Sequence, residues 1–301
     1  MVYSIRVKQL NNKKIEGAGF ILMSAFFFAT YGIWSRLMSS SFGVFSQSWT
    51  RGLALLVVTL ILNIFFKFIK PINKKDWIWF LIIGATALNQ APIFFGFKYL
   101  DIGTATLLFY SALVIGGYLV GKFVFKEKLT KWKLFSLLLA FLGMLIIYGL
   151  VITPDQFLAA GLMILGGLMG ACGSILPKKL SQNYSGMQIL ISYYVAMTVV
   201  DFILAKLMNN PLPRLELNVG WLAQIGYTFS FLIANLLVIK GYKHLEPSIG
   251  SLIGLAEIIF GVVFGAVFFG EIVGWGVVIG SILILISAVL PNIKIKDNLF
   301  K

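Results

Sequence analysis

The chain has 301 residues, of which 59% are hydrophobic and only 12% are charged. Soluble domains carry about a quarter charged residues, so this composition excludes a typical soluble protein and indicates a polytopic membrane protein. The net charge of +14 does not indicate a nucleic-acid partner, because the Lys and Arg residues stand in short gaps between apolar runs. A single cysteine, Cys172, excludes an intrachain disulfide framework, and the sequence predicts no metal site and no cofactor.

Apolar segments long enough to cross a membrane follow one another along the chain, since a spanning helix needs about 20 residues. The first follows a basic, polar lead and is too long for the apolar core of a signal peptide, so we expect it to be retained. The short connections leave no room for a soluble domain. We therefore predict an all-α membrane protein with ten transmembrane helices, at residues 17–38, 44–68, 77–98, 103–124, 132–152, 157–177, 186–208, 219–239, 248–269 and 272–291.

The basic residues predict the orientation of these spans. If the N-terminus is cytoplasmic, 20 of the 25 Lys and Arg residues fall on the cytoplasmic side. Cytoplasmic loops carry such an excess, so the sequence predicts a multi-pass protein of the cell membrane with both termini in the cytoplasm. The residues left for the outer side are Arg36, Arg51, Lys98, Lys206 and Arg214.

The two halves of the chain resemble each other. "GFKYLDIGTATLL" at 96–108 matches "GYKHLEPSIGSLI" at 241–253, and Glu127 matches Glu271 farther along. The matched blocks lie at the junctions of the third and fourth spans and of the eighth and ninth spans. Five spans separate the copies, and an odd number of spans reverses the direction of crossing.

We therefore predict two inverted five-helix repeats, 1–153 and 154–301. Inverted repeats are typical of secondary transporters, in which the substrate site lies near the midplane between the halves. The first four helices of each repeat are expected to form that site, and the fifth and tenth helices are expected to brace it.

These residues also carry a family resemblance. The first repeat continues as "FVFKEKLTKWKLFSLLLAFLGMLIIYG" and the second as "AVFFGEIVGWGVVIGSILILISAVL". With the ten spans, these blocks resemble the EamA-type carriers of the drug/metabolite transporter superfamily. The resemblance implies transport of a small metabolite, such as an amino acid, a nucleoside or a drug-like compound, often outward across the membrane.

Glu257 is the first candidate site residue, because a carboxylate at the centre of a spanning helix is costly. At about 100° per residue it shares one helix face with Gly250, Gly254, Gly261 and Gly265. The glycines follow the repeat and are interpreted as packing positions that let helices approach closely. Glu257 does not follow the repeat, so it is a functional group or a structural strut. A functional Glu257 would bind a proton or pair with a cationic substrate group.

Other polar residues within spans are weaker candidates. Arg51 could bind a carboxylate or phosphate, or it could extend to the outer interface. Asn89 and Gln90 precede Pro92, and Gln90 matches Asn235 in the repeat, so the matched amides could join helices or form two halves of a site.

Aromatic and acidic residues complete the set. Trp34, Tyr110 and Tyr193 could line the substrate pocket or simply pack in the core. Asp201 is expected near the outer end of the seventh span and in contact with water.

Three function classes compete. A secondary carrier accounts for the repeat and the few polar residues within spans. The sequence contains no P-loop of a pump and neither the HExxH nor the GxSxG pattern of an enzyme. We therefore expect a carrier for a small polar or amphipathic metabolite, coupled to protons or another gradient and existing as a monomer or homodimer in the lipid bilayer. The family resemblance implies that it works as an exporter. The alternative is a lipid or lipid-linked-sugar translocator on the same scaffold.

Overall fold

The computed structural model describes residues 2–39, 41–213, 216 and 218–292. Among these residues, nine helices are long and apolar enough to cross a membrane, and a tenth apolar helix of 15 residues follows them. The ten are numbered in chain order: helix 1, Val2–Ala29 and Tyr31–Met38; helix 2, Val44–Phe66; helix 3, Trp77–Ala85, Thr86–Asn89 and Gln90–Tyr99; helix 4, Ile102–Val124; helix 5, Lys131–Tyr148; helix 6, Phe157–Ile175 and Pro177–Leu180; helix 7, Gly186–Leu207; helix 8, Val219–His244; helix 9, Pro247–Gly254 and Ala256–Phe269; helix 10, Trp275–Val289.

The all-helical prediction is confirmed, and nine of the predicted spans have membrane length. The tenth span, predicted over 272–291, is a shorter helix in the structure, so its crossing stays a prediction. Helix ends follow local backbone chemistry. Helix 2 ends at Phe66 because Lys67 adopts a left-handed conformation with φ of 46°, and helix 5 ends before Gly149, where φ is 68°. Helix 8 continues five residues beyond the predicted end at 239.

Helix packing follows the repeat. Helices 2 and 7 occupy the same position in their repeats and pack against each other, as do helices 5 and 10. Helix 1 packs against helix 8, and helix 6, its counterpart, packs against helix 3. In the pair of helices 5 and 10, a Cβ added at Gly143 would lie 2.7 Å from the carbonyl oxygen of Gly280, so the two backbones are close. Helices 5 and 10, which are predicted to brace the site, therefore pack against each other.

Contacts between helix starts and loops define the two ends of the bundle. At the first, the Gln188 side chain donates to the Lys70 carbonyl at 2.6 Å. At the other, the Ser46 hydroxyl donates to the Pro211 carbonyl at 2.8 Å. Helix 1 starts at the first end and helix 6 at the other, so the two halves run in opposite directions. The first end is called the basic end and is formed by loops 67–76, 125–130, 181–185 and 245–246. The opposite end is formed by the described residues of five connections: 39 and 41–43; 100–101; 149–156; 208–213, 216 and 218; and 270–274.

The lysines of the helix-connecting loops concentrate at the basic end, as the orientation argument requires. Lys74 and Lys75 lie in the loop before helix 3, and Lys126 and Lys128 lie in the loop before helix 5. Four basic residues of the orientation argument lie outside the described residues: Arg214, Lys294, Lys296 and Lys301.

Candidate functional site

A cavity of about 60 Å³ lies between the two halves. Helices 1, 4, 6, 8 and 9 line it, so both repeats contribute. Most of its wall is apolar, and the polar groups are Ser24, Tyr110, Ser174, Ser251 and Glu257, with the Tyr242 hydroxyl close to Ser251. A cavity of this size and polarity holds several water molecules. The structure thus brings Glu257 and Tyr110, two of the predicted site residues, to one cavity.

Glu257 stands immediately after a break in helix 9. The Leu255 amide donates to the Leu252 carbonyl at 3.2 Å and the Ile258 amide to the Leu255 carbonyl at 3.0 Å, so tighter i to i+3 bonds occur at this turn. Ala256–Phe269 begins there as a new helical segment, with Glu257 in its first turn. Because the free amides of a helix start carry partial positive charge, this position stabilises a carboxylate.

Glu257 is a half-buried residue whose carboxyl group reaches the cavity. Tyr110 of helix 4 and Tyr148 of helix 5 lie close to the carboxyl group. Glu257 takes part in none of the three ion pairs found among the described residues. The group therefore combines a nearby neutral hydroxyl, a helix start and a small, mostly apolar cavity, an arrangement that can accept a proton or a cation.

The glycine stripe around Glu257 has two different environments. A Cβ added at Gly117 of helix 4 would overlap the Ser251 side chain, so helices 4 and 9 do approach closely there. A Cβ added at Gly254 or Gly261 would meet no atom within 4 Å among the described residues. The packing interpretation is therefore wrong for these two glycines. They flank Glu257 by about one turn each, and Gly254 lines the same cavity as Glu257.

Arg51 forms a second polar centre. Its side chain is 2% exposed, and its Nη2 donates to Ser35 Oγ at 2.7 Å and to Gln47 Oε1 at 2.9 Å. The guanidinium carbon lies 4.7 Å from the ring centre of Tyr31 and 4.4 Å from that of Tyr227. The alternative in which Arg51 extends to the outer interface is thus wrong, because its charged group lies inside the bundle.

The predicted amides do not join the two halves as a matched pair. Asn235 donates to the Phe231 carbonyl of its own helix at 2.8 Å. Gln90 donates to its neighbour Asn89 at 3.0 Å and hydrogen-bonds to Tyr193 of helix 7. Gln90 and Tyr193 therefore connect helices 3 and 7, whereas Asn235 makes a local contact.

The remaining two candidates have structural contacts. Trp34 donates through Nε1 to Thr30 Oγ1 at 3.0 Å and to Ser230 Oγ at 3.3 Å, joining helices 1 and 8. Asp201 is 0% exposed and accepts a hydrogen bond of 2.5 Å from the Ser48 hydroxyl. The expectation that Asp201 contacts water is wrong, because helix 2 packs over this part of helix 7.

Sequence reasoning missed an ion network at the basic end. Lys133 of helix 5 contacts Glu127 at 2.5 Å and Glu246 at 2.7 Å. The amide and hydroxyl of Ser248, at the start of helix 9, both donate to the Glu127 carboxylate. Side chains of Lys133 and Glu127 are 7% and 3% exposed, so this pair is buried, whereas the Glu246 side chain is 46% exposed and reaches water. The repeat match of Glu127 with Glu271 was the signal that could have located it.

The corresponding acid at the opposite end is placed differently. Glu271 contacts Arg36 at 3.0 Å, and both side chains are 57% exposed. In both copies the acid amide donates to the carbonyl of a glycine six residues earlier, Gly121 for Glu127 and Gly265 for Glu271. The two turns are thus alike, but only the one at the basic end is sealed by ion pairs.

Comparisons with known proteins agree with this architecture. The model of the EamA-like transporter family matches residues 15–149 and again residues 157–293. A solved crystal structure has a TM-score of 0.75 to this chain at 14% sequence identity, covering 91% of this chain and 96% of its own, which shows a shared fold. No curated protein matches the sequence. Because the family model covers both halves, the chain belongs to the EamA-like transporter family, a family of transporters and not of enzymes.

Proposed function

We propose that the protein is a secondary active transporter for a small polar or amphipathic metabolite, with the Glu257 cavity as its central site. The observation that carries this proposal is the position of Glu257: a carboxyl group without an ionic partner in the described structure, beside a cavity lined by both repeats. Carriers built from inverted repeats bind substrate and coupling ions between the halves, often at breaks in helices. The break at Leu255 is such a place.

Alternating access is supported by the difference between the two ends. The buried pair of Lys133 and Glu127, with the half-exposed Glu246 beside it, closes the basic end, whereas the exposed pair of Arg36 and Glu271 leaves the opposite end weakly joined. Exchange of these arrangements between the two repeats would expose the cavity to the other side. The conformation described here corresponds to a state closed at the basic end.

Charge placement supports the orientation on which the proposed direction of transport depends. The lysines of the basic end favour the cytoplasm, so the closed end faces inward and the site would open outward in this state. Glu257 binds either the coupling proton or a cationic group of the substrate, and release of that proton or substrate returns the carrier. Export of the metabolite in exchange for an inward-moving proton is the proposed cycle.

The test is uptake into proteoliposomes, with and without a pH gradient, using a panel of amino acids, nucleosides, polyamines and choline-like cations. Glu257→Gln keeps the size and removes the charge and the exchangeable proton, so gradient-driven transport should be lost while the protein stays folded. Glu16→Gln is the matched control, because it removes an exposed acid that neither lines the cavity nor takes part in an ion pair of the described residues, and it should leave gradient dependence intact.

Unchanged gradient dependence in Glu257→Gln would overturn the proton-binding role. A loss of thermal stability in detergent, with normal transport per folded molecule, would show instead that Glu257 is a structural strut. Movement of a fluorescent lipid in the same vesicles, without transport of any panel member, would favour the lipid-translocator alternative.

A further inference from the structure

Arg51 is a buried cation without an acidic partner. It takes part in none of the ion pairs of the described residues, although it is 2% exposed. A buried charge is normally paired, because removing it from water is costly. The rings of Tyr31 and Tyr227 offset part of this cost through their electron-rich faces. The guanidinium group therefore keeps its positive charge, and no acid of the described residues neutralises it.

The hydrogen bonds of the guanidinium group are also incomplete. Nη2 donates to two neutral oxygens, those of Ser35 and Gln47, while the buried Nε donates to none of the described residues. A carboxylate or phosphate binds arginine through two parallel N–H donors, and one edge of the guanidinium group is formed by Nε and Nη2. That edge has a free donor at Nε and an exchangeable contact at Nη2.

A short segment covers this edge. The cover segment, Tyr31–Met38, is the last part of helix 1 and is separated from Val2–Ala29 by a break at Thr30. It supplies Tyr31 and Ser35 to Arg51, and Met38 contacts Nη2 through sulfur at 3.6 Å. Movement of this one segment would therefore uncover the guanidinium group.

The attachment of the cover segment is weak at its outer end. Arg36 joins it to Glu271 through an ion pair in which both side chains are 57% exposed. Exposed pairs of this kind contribute little stability, and salt screens them. The break at Thr30 separates the segment from the rest of helix 1, and movement would also require release of the Trp34 hydrogen bond to Ser230 and of the packing of Met38 against Ala223 of helix 8.

Tyr31 belongs to the Arg51 centre. Its ring packs edge to face against that of Tyr227, with 5.9 Å between ring centres, and lies 4.7 Å from the guanidinium carbon of Arg51. Neither Arg51 nor Tyr31 lines the Glu257 cavity, so the two polar centres are separate places in the bundle.

We propose that Arg51 binds an oxyanion group of the transported substrate, a carboxylate or a phosphate, when the cover segment moves away from it. This inference rests on the proposed transport function and specifies one chemical group of the substrate. In the absence of substrate, the side-chain oxygens of Ser35 and Gln47 accept the hydrogen bonds that Nη2 would donate to the oxyanion.

The experiment measures ligand binding to the purified protein by thermal stabilisation in detergent. The probes are matched pairs that differ in the oxyanion: standard amino acids against their amides, and nucleoside monophosphates against nucleosides. At least one oxyanion compound should bind about tenfold or more tightly than its neutral partner, as expected for hydrogen bonds to a charged group. The class of that compound distinguishes carboxylate from phosphate recognition.

Variants assign the preference to Arg51. Arg51→Gln should bring each pair to nearly equal affinity, and Arg51→Lys, which keeps the charge, should retain part of the preference if Arg51→Gln fails to fold. Ser35→Ala removes a competing acceptor and should preserve the preference or strengthen it. Lys98→Gln removes an exposed cation of helix 3, outside the cover segment, and as the control it should leave the preference of each pair unchanged.

Equal binding of all matched pairs by the wild-type protein would overturn the inference, as would a preference that survives in both Arg51 variants. Neither result would affect the proposed carrier function, because gradient-driven uptake of a neutral or cationic substrate could still depend on Glu257. Conversely, oxyanion-dependent binding without transport of the bound compound would contradict the carrier function and leave the binding site established.

Discussion

At the residue scale, the surroundings of Glu257 explain how an acid is kept within an apolar helix. A carboxyl group at the centre of a span costs on the order of 3 kcal/mol by insertion measurements. Three features reduce this cost: the start of a helical segment, the Tyr110 hydroxyl and a cavity that holds water. None of the three is a fixed opposite charge, so the site stays available for a proton or a cationic ligand.

We expect Tyr110→Phe to lower gradient-driven transport several-fold without unfolding the protein, because Glu257 loses the neutral hydroxyl beside it. Tyr118→Phe in the same helix is the comparison. Tyr118 donates to the Lys133 carbonyl at 2.6 Å, so that variant should lose about 1 kcal/mol of stability and keep the pH dependence of transport. Uptake in proteoliposomes and thermal unfolding in detergent measure the two effects. Identical behaviour of the two variants would contradict a special role for Tyr110.

The sequence predicted the location of some site residues correctly and that of others incorrectly. The expense of a charge within a span identified Glu257 and Arg51 as candidates, and both occupy the bundle interior. The environment of Asp201 was not predictable from its position near a helix end, because burial there depends on how helix 2 packs over it. The spacing of Gly254 and Gly261 places them on one face of helix 9. It does not show whether that face packs against another helix or borders open space.

At the element scale, breaks in helices position the site. Helix 3 changes to a 3₁₀ turn at Thr86–Asn89, just before Pro92. Proline has no amide hydrogen to donate and crowds the carbonyl four residues earlier, that of Leu88, which accounts for the break. The breaks at Thr30 and Leu255 have no such marker. Hydropathy reports only that a segment is apolar, so neither break was predicted from the sequence.

The ion network at the basic end makes a prediction for these elements. Lys133→Met leaves Glu127 buried without its cation and should destabilise the fold by about 3–5 kcal/mol, the usual cost of removing one partner of a buried pair. Arg36→Gln breaks an exposed pair and should cost less than about 1 kcal/mol. Thermal unfolding in detergent compares the two variants. Equal losses of stability would show that the two ends are closed to the same degree.

At the scale of the whole molecule, the repeat was the most informative feature of the sequence. It predicted two five-helix repeats, and the family model matches both halves of the chain. The sequence did not predict that helix 2 packs against helix 7 or helix 5 against helix 10. The conformational state was not predictable. The sequence has a matching acid at each end, Glu127 and Glu271, and only the structure shows that Glu127 forms a buried ion pair and Glu271 an exposed one. The division at residues 153 and 154, the membrane concerned and the orientation within it stay predictions.

Orientation is open to direct measurement. Cys172 is the only cysteine, so Cys172→Ser gives a background for single cysteines. Lys74→Cys lies in an exposed loop of the basic end and Asp155→Cys in an exposed loop of the opposite end. A membrane-impermeant maleimide added to intact cells should label the cysteine at position 155 and should reach position 74 only after permeabilisation. The reverse pattern would invert the proposed topology and the direction of transport argued from it.

Two helices of the first repeat pack against their counterparts in the second repeat, and this pairing has a consequence for assembly. Helix 2 against helix 7, and helix 5 against helix 10, are contacts that two separate copies of a five-helix chain could make across a twofold axis. The loop at 149–156 converts that encounter into an intramolecular one, with an effective concentration in the millimolar range for a short linker. Tethering also frees each copy to diverge. An acid such as Glu257 can then occupy one half alone, which two identical subunits could never achieve.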